Sequence, residues 1–76
     1  TSPDVSPDGG WLAFASDATR TQEVYLRRLD GTGAVQRVSS GGGGFPRWRR
    51  DGRELFYLDA TGKLVAVPIE GGELSE

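Results

Sequence analysis

The sequence contains no cysteine and no histidine. The first absence removes disulfides and thiolate metal sites, and the second removes imidazole ligands and the commonest general base. A strong charge of one sign is also missing. Nine basic against eleven acidic residues leave a net charge of −2, which gives no general attraction to nucleic acid or to an anionic membrane. No apolar run approaches the roughly 20 residues of a transmembrane helix, so no membrane insertion is expected. Thr1-Ser2-Pro3-Asp4 carries neither a basic region nor an apolar core, and no signal peptide is expected there. With 76 residues the chain is at most one small domain. A chain of about 60 residues buries only about 60% of the surface its unfolded form exposes. Disulfides, metals or association usually stabilise small domains. Association is the option left, with copies of the chain itself or with the rest of a longer parent chain.

Twelve glycines and four prolines divide the sequence into short pieces without a helical period. The pieces repeat. Pro3-Asp4-Val5-Ser6-Pro7-Asp8-Gly9 lies 43 residues before Pro46-Arg47-Trp48-Arg49-Arg50-Asp51-Gly52, and Leu12 matches Leu55 at that offset while Phe14 matches Tyr57 in kind. Past a shorter loop the offset falls to 40, where Val24-Tyr25-Leu26 meets Leu64-Val65-Ala66. Short strands repeating every ~40–45 residues correspond to one four-stranded blade of a propeller.

Each unit reads as a series of hairpins. Strands are predicted over 3–6, 11–16, 23–29 and 34–39, with turns at Pro7-Asp8-Gly9-Gly10 and at Asp30-Gly31, a pair that tolerates positive φ. Asp17 to Gln22 reads as a polar loop. Gly41 to Gly44 reads as a flexible crossing between units, and the pattern restarts over 47–49, 54–59 and 63–69. The polar stretch Glu70 to Glu76 offers no fourth strand. The expectation is therefore all-β: two antiparallel four-stranded propeller blades, the second incomplete. Residues 1–44 form the first blade with its glycine linker, and 45–76 form a second whose fourth strand is missing or supplied by a neighbour. A bare sheet edge of that kind is usually covered or blunted. Trp11-Leu12-Ala13-Phe14-Ala15, Leu55-Phe56-Tyr57-Leu58 and Leu64-Val65-Ala66-Val67 are continuous apolar runs, which predict burial on both faces of each sheet rather than one wet face.

Ser6-Pro7-Asp8-Gly9-Gly10-Trp11-Leu12-Ala13-Phe14 followed by Glu23-Val24-Tyr25-Leu26 resembles the bacterial WD-like propeller repeat of the TolB type. The second unit resembles the same pattern, but Arg49 and Arg50 stand where that family has Ser and Pro, which leaves its turn to Asp51-Gly52 alone. The resemblance implies a propeller that binds, gates or scaffolds. Such repeats occur in TolB-like periplasmic proteins, in sensor regions of bacterial serine/threonine kinases and in propellers of prolyl-oligopeptidase-like enzymes. It favours a periplasmic or extracytoplasmic setting and supplies no catalytic residue to these positions.

The residues themselves agree with a non-enzymatic reading. Ser6, Ser16, Ser39 and Ser40 have no histidine to serve them as base and are expected to bond at turns and strand ends. Asp8, Asp17, Asp30, Asp51 and Asp59 fall at turns, where a carboxylate caps nearby backbone N–H groups; a catalytic carboxylate pair or a Ca²⁺ loop is the weaker reading. The glycine run lacks the strand–loop–helix context and the lysine of a phosphate cradle. No cofactor and no metal are expected. Arg47-Trp48-Arg49-Arg50 with Arg53 is the one cationic cluster with an aromatic inside it. On a strand, Arg47 and Arg49 point one way and Trp48 the other. By the resemblance this strand is the innermost of its blade, which would set Arg47 and Arg49 beside a central channel, able to meet an acidic peptide or anion. The simpler expectation is Trp48 packed in the blade and the arginines solvated or paired. The partners expected are a protein or peptide, and either further copies, two to four closing a ring, or the remaining blades of a parent chain.

Overall fold

Among the described residues the long strands are separated by glycine-bearing turns or polar loops, and apolar, β-branched and aromatic residues fill most of their length. Such side chains suit a pleated, half-buried surface. The computed structural model describes residues 3–17, 20–70 and 73–74. Parts of the predicted loop and tail (residues 18, 19, 71, 72, 75 and 76), together with Thr1 and Ser2, lie outside the described residues. The described strands are β1 (Asp4–Val5), β2 (Trp11–Ser16), β3 (Glu23–Arg28), β4 (Gln36–Arg37), β5 (Gly43–Trp48), β6 (Glu54–Asp59), β7 (Leu64–Glu70) and β8 (Glu73–Leu74). They form two antiparallel meanders, β1-β2-β3-β4 and β5-β6-β7-β8, the all-β blade pair that the repeat predicts. The register carries the repeat. Val5 pairs Leu12 as Trp48 pairs Leu55, and Phe14 pairs Tyr25 as Tyr57 pairs Val65.

The two sheets share one core. Trp11, Ala13, Val24 and Leu26 of the first meet Leu55, Tyr57 and Ile69 of the second, with Val38, Trp48, Val65 and Val67 around them. The radius of gyration is 11.2 Å, close to the roughly 11 Å of a packed domain of this length, so the blades are stacked rather than strung apart. Each sheet buries one face in this core. The other face of the first sheet carries Leu12, Phe14 and Tyr25, and that of the second carries Phe56, Leu58 and Leu64, all half-buried or exposed. Burial on both faces, as the apolar runs predict, is thus met on one face of each sheet, because two sheets make only one interface between them.

Three expectations are amended. The glycine run is not a loose crossing: Gly42, Gly43 and Gly44 are buried, and β5 begins at Gly43, ahead of the expected boundary at 44/45. A Cβ on Gly43 would lie 2.7 Å from Ser39 Cβ, and one on Gly42, at φ +114°, 2.8 Å from Ala60 Cβ. These glycines are needed for close approach of the two blades. The second blade also gains a fourth strand, though a vestigial one: Glu73–Leu74 pairs with Ile69 and Glu70 at the far end of β7. Among the described residues nothing pairs with that edge of β7 before Ile69, so the blade remains largely open there. Finally, the second turn does not rest on Asp51-Gly52 alone, since Arg49 forms ion pairs across it.

Candidate docking faces and the clasp between blades

Arg47 and Arg49 are both exposed. Arg47 lies in β5 with its guanidinium donating to the Pro46 carbonyl at 2.8 Å. Arg49 lies just beyond β5. Its Nη1 meets Glu54 Oε1 at 2.8 Å and its Nε lies 3.4 Å from Asp51 Oδ2. The charge of Arg49 is therefore met by carboxylates of its own hairpin. Trp48 packs against the core as expected.

The aspartates at turns behave as caps. Asp8 Oδ1 accepts Gly10 N–H at 2.9 Å and the Ser6 hydroxyl at 2.6 Å, Asp30 Oδ1 accepts Thr32 N–H and its hydroxyl, and Asp59 Oδ1 accepts the N–H groups of Thr61 and Lys63 and the Thr61 hydroxyl. Hydrogen bonds to the ionised form favour it. The carboxyls of Asp8, Asp30 and Asp59 are accordingly held below their usual range, chiefly by Ser6, Thr32 and Thr61.

A clasp that sequence reasoning missed ties the blades together. Glu23 is 3% exposed at the start of β3. It accepts the Ser39 hydroxyl and the Gly42 N–H, while Ser39 Oγ accepts Val24 N–H. Ser39, then the Gly42 amide and Arg37, hold the Glu23 carboxyl below its ordinary value against the opposing effect of burial. Beside it, Gly43 N–H donates to the Gln22 carbonyl. At the other end, Trp48 donates its backbone N–H to Asp4 Oδ2 at 2.8 Å and its indole N–H to the Asp4 carbonyl at 3.1 Å. Among the described residues no buried side-chain nitrogen or oxygen lacks a partner. Neither clasp has a local signal: Glu23 meets Ser39 and Gly42 only through the meander of the first sheet and the crossing to the second, and Asp4 meets Trp48 only through the stacking of the two sheets.

The chemical content of the described chain is therefore low in reactive groups and high in apolar surface. Ser39 is buried and fully engaged, and the carboxylates serve backbone amides. What is open is apolar: Val5, Phe45 and Leu64 on strands, and Leu29 and Val35 in the connection between β3 and β4, are all more than two-fifths exposed. On the first sheet Phe14 and Tyr25 stack at 5.7 Å between ring centroids. Phe45 adopts φ +55° beside a bulge in β5, a strained conformation for an aromatic residue.

No family model matches the chain. It is 32% identical, over 92% of its length, to dipeptidyl-peptidase 5 of Trichophyton equinum and equally to that of Arthroderma benhamiae, and in each case the match covers 11% of the larger protein. An uncharacterised protein of Agrobacterium fabrum is 31% identical over 87% of the chain, with 23% of that protein covered. The chain thus spans about a tenth of the length of the curated peptidases it matches and is similar, across nearly all of itself, to one stretch of them.

Proposed function

We propose that the chain is a non-catalytic pair of propeller blades whose work is to present sheet faces to other protein surfaces. The observation that carries this reading is the pair of outward apolar faces, Leu12–Phe14–Tyr25 on one side and Phe56–Leu58–Leu64 on the other. Large exposed apolar patches on a folded unit mark interaction sites. The absence of histidine and the engagement of Ser39 by Glu23 and Val24 leave no activated nucleophile of the usual kind. The similarity to part of dipeptidyl-peptidase 5 favours a second, compatible reading, in which the blades belong to a larger peptidase-like protein and scaffold or gate a catalytic domain elsewhere in it. A kinase sensor region has no such support.

Hydrolysis of dipeptide 4-nitroanilides by the purified 76-residue chain tests the non-catalytic reading. No turnover above buffer is expected. Turnover that persists through purification and disappears in Ser39→Ala would overturn it.

A further inference from the structure

The core between the sheets is built from two unlike faces. Shifted by 43 residues in the first hairpin and 40 in the second, Leu55, Tyr57, Val65 and Val67 occupy the repeat positions of Leu12, Phe14, Tyr25 and Arg27. Trp11, Ala13, Val24 and Leu26 likewise correspond to Glu54, Phe56, Leu64 and Ala66. The face of the second blade that is buried against the first is therefore the face that the first blade turns outward. The face of the first blade that is buried is the one that the second turns outward. The chain uses one such pairing internally and carries both halves of another, unmatched, on its two ends.

We propose that a second copy of this chain docks by the same contact. The Leu12–Phe14–Tyr25 face of one copy receives the Phe56–Leu64–Ala66 face of the next, head to tail. This deepens the proposed function by naming the partner of the open faces. Two exceptions to the apolar pattern support a copy as the occupant. Glu54 stands in the place of Trp11, and Arg27 in the place of Val67. Within the chain, Trp11 borders a recess with Trp48 and Ile69. The repeat position of Ile69 is Leu29, two residues on from Arg27 and just past the end of β3. Docking thus brings Glu54 of one copy, with Arg49 already on its Oε1 at 2.8 Å, to the Arg27 side of the other, where the carboxylate meets a second base. Unlike faces generate either rings or open filaments. Propellers close with about four to eight blades, which sets about two to four copies of a two-blade chain.

Light scattering after size exclusion tests the contact. The chain is expected as a discrete species of two to four copies. Phe14→Lys and Phe56→Lys, on opposite faces, should each lower the mass, while Trp11 and Trp48 emission reports that the internal core persists. Mixing the two variants leaves one intact face on each and should yield a heterodimer. As a second measurement that spares the aromatics, Arg27→Glu and Glu54→Arg should each raise the dissociation constant about tenfold, and the two together in one chain should reverse the loss. A monomeric parent chain overturns the proposal and leaves the faces to a different protein. So does loss of assembly from only one face, which would mean a face pairing with itself, or a charge-swapped double variant no better than its parents. Peptidase activity would leave these masses unchanged, so the two readings fail separately.

Discussion

The first hairpin turn of each blade has one backbone and two chemistries. In the first, Gly9 N–H donates to the Ser6 carbonyl, Ser6 N–H to the Trp11 carbonyl, and Gly10 N–H to Asp8; in the second, Gly52 donates to Arg49, Arg49 to Glu54, and Arg53 to Asp51. Both glycines sit at φ +75°. The side chains at the first position then part company. Ser6 is buried, accepts Trp11 N–H at 3.0 Å and donates to Asp8, whereas Arg49 is exposed and reaches Glu54 and Asp51 in water. The same backbone bonds therefore form with either side chain at the first position. The serine adds a buried bond that ties the turn to the start of β2, and the arginine adds surface charge pairing of much lower worth.

The sharpest way to break the equivalence of the blades lies one strand further on. Leu12 and Leu55 share a repeat position, yet Leu55 is fully buried and Leu12 half-open. Truncating a buried leucine removes its transfer energy and leaves a cavity. Leu55→Ala is expected to lower unfolding free energy by about 3 kcal/mol, and Leu12→Ala by about 1 kcal/mol. Denaturant midpoints measured at low protein concentration, where association contributes little, decide it. Equal losses would mean that the two leucines pack alike and that the opposed faces are misassigned.

Ser6→Ala comes next. It leaves Trp11 N–H without its side-chain acceptor and removes a donor from Asp8. A buried group deprived of its partner costs about 1–3 kcal/mol, and thermal melts should show a loss in that range. A melt unchanged from the parent chain would show that the serine contributes no more than the arginine that replaces it.

Acid sensitivity should concentrate in the first blade and its clasp. Glu23 and Asp8 are held below their ordinary values of 4.5 and 3.8, so their contribution to stability is complete above those values and is lost as pH falls through the lower folded ones. Glu23→Gln should flatten the fall in melting temperature below about pH 4.5. A profile as steep as that of the parent chain would exclude the Glu23–Ser39–Gly42 cluster as its source.

The repeat, the hairpins and the change of offset from 43 to 40 were legible because each is local: a turn glycine, a short apolar strand, a loop three residues shorter. Strands 11–16 and 54–59 fall as expected. The aspartate caps were legible for the same reason. Glu23, Gly43 and Asp4 were not, since a buried carboxylate, a crowded glycine and a bridging aspartate acquire those roles only from tertiary contacts. Gly43 illustrates the difficulty. Four glycines in a row read as slack chain, but the constraint on Gly43 comes from the turn back at Ser39 and from Tyr57 on the neighbouring strand β6. Arg49 shows the same limit: strand alternation places it with Arg47, but its ion pairs to Glu54 and Asp51 depend on how its own hairpin folds back.

Arg49→Ser carries the smallest effect and sharpens the comparison most directly. It places in the second turn the side chain that the first one uses. The new hydroxyl would lie near Glu54 N–H, the counterpart of Trp11 N–H, and near Asp51, the counterpart of Asp8. Against this gain stands the loss of exposed ion pairs to Glu54 and Asp51, whose side chains are about a third and two-fifths accessible. Such pairs contribute at most about 1 kcal/mol, and a neutral hydrogen bond contributes about the same. The balance should favour serine by about 0.5 kcal/mol, and the advantage should grow at high salt, where the parent's ion pairs are screened. Melting curves of the two proteins at low and high ionic strength measure both quantities. A variant less stable than its parent in high salt would mean that the second turn cannot seat a serine, and that the two turns match in backbone only.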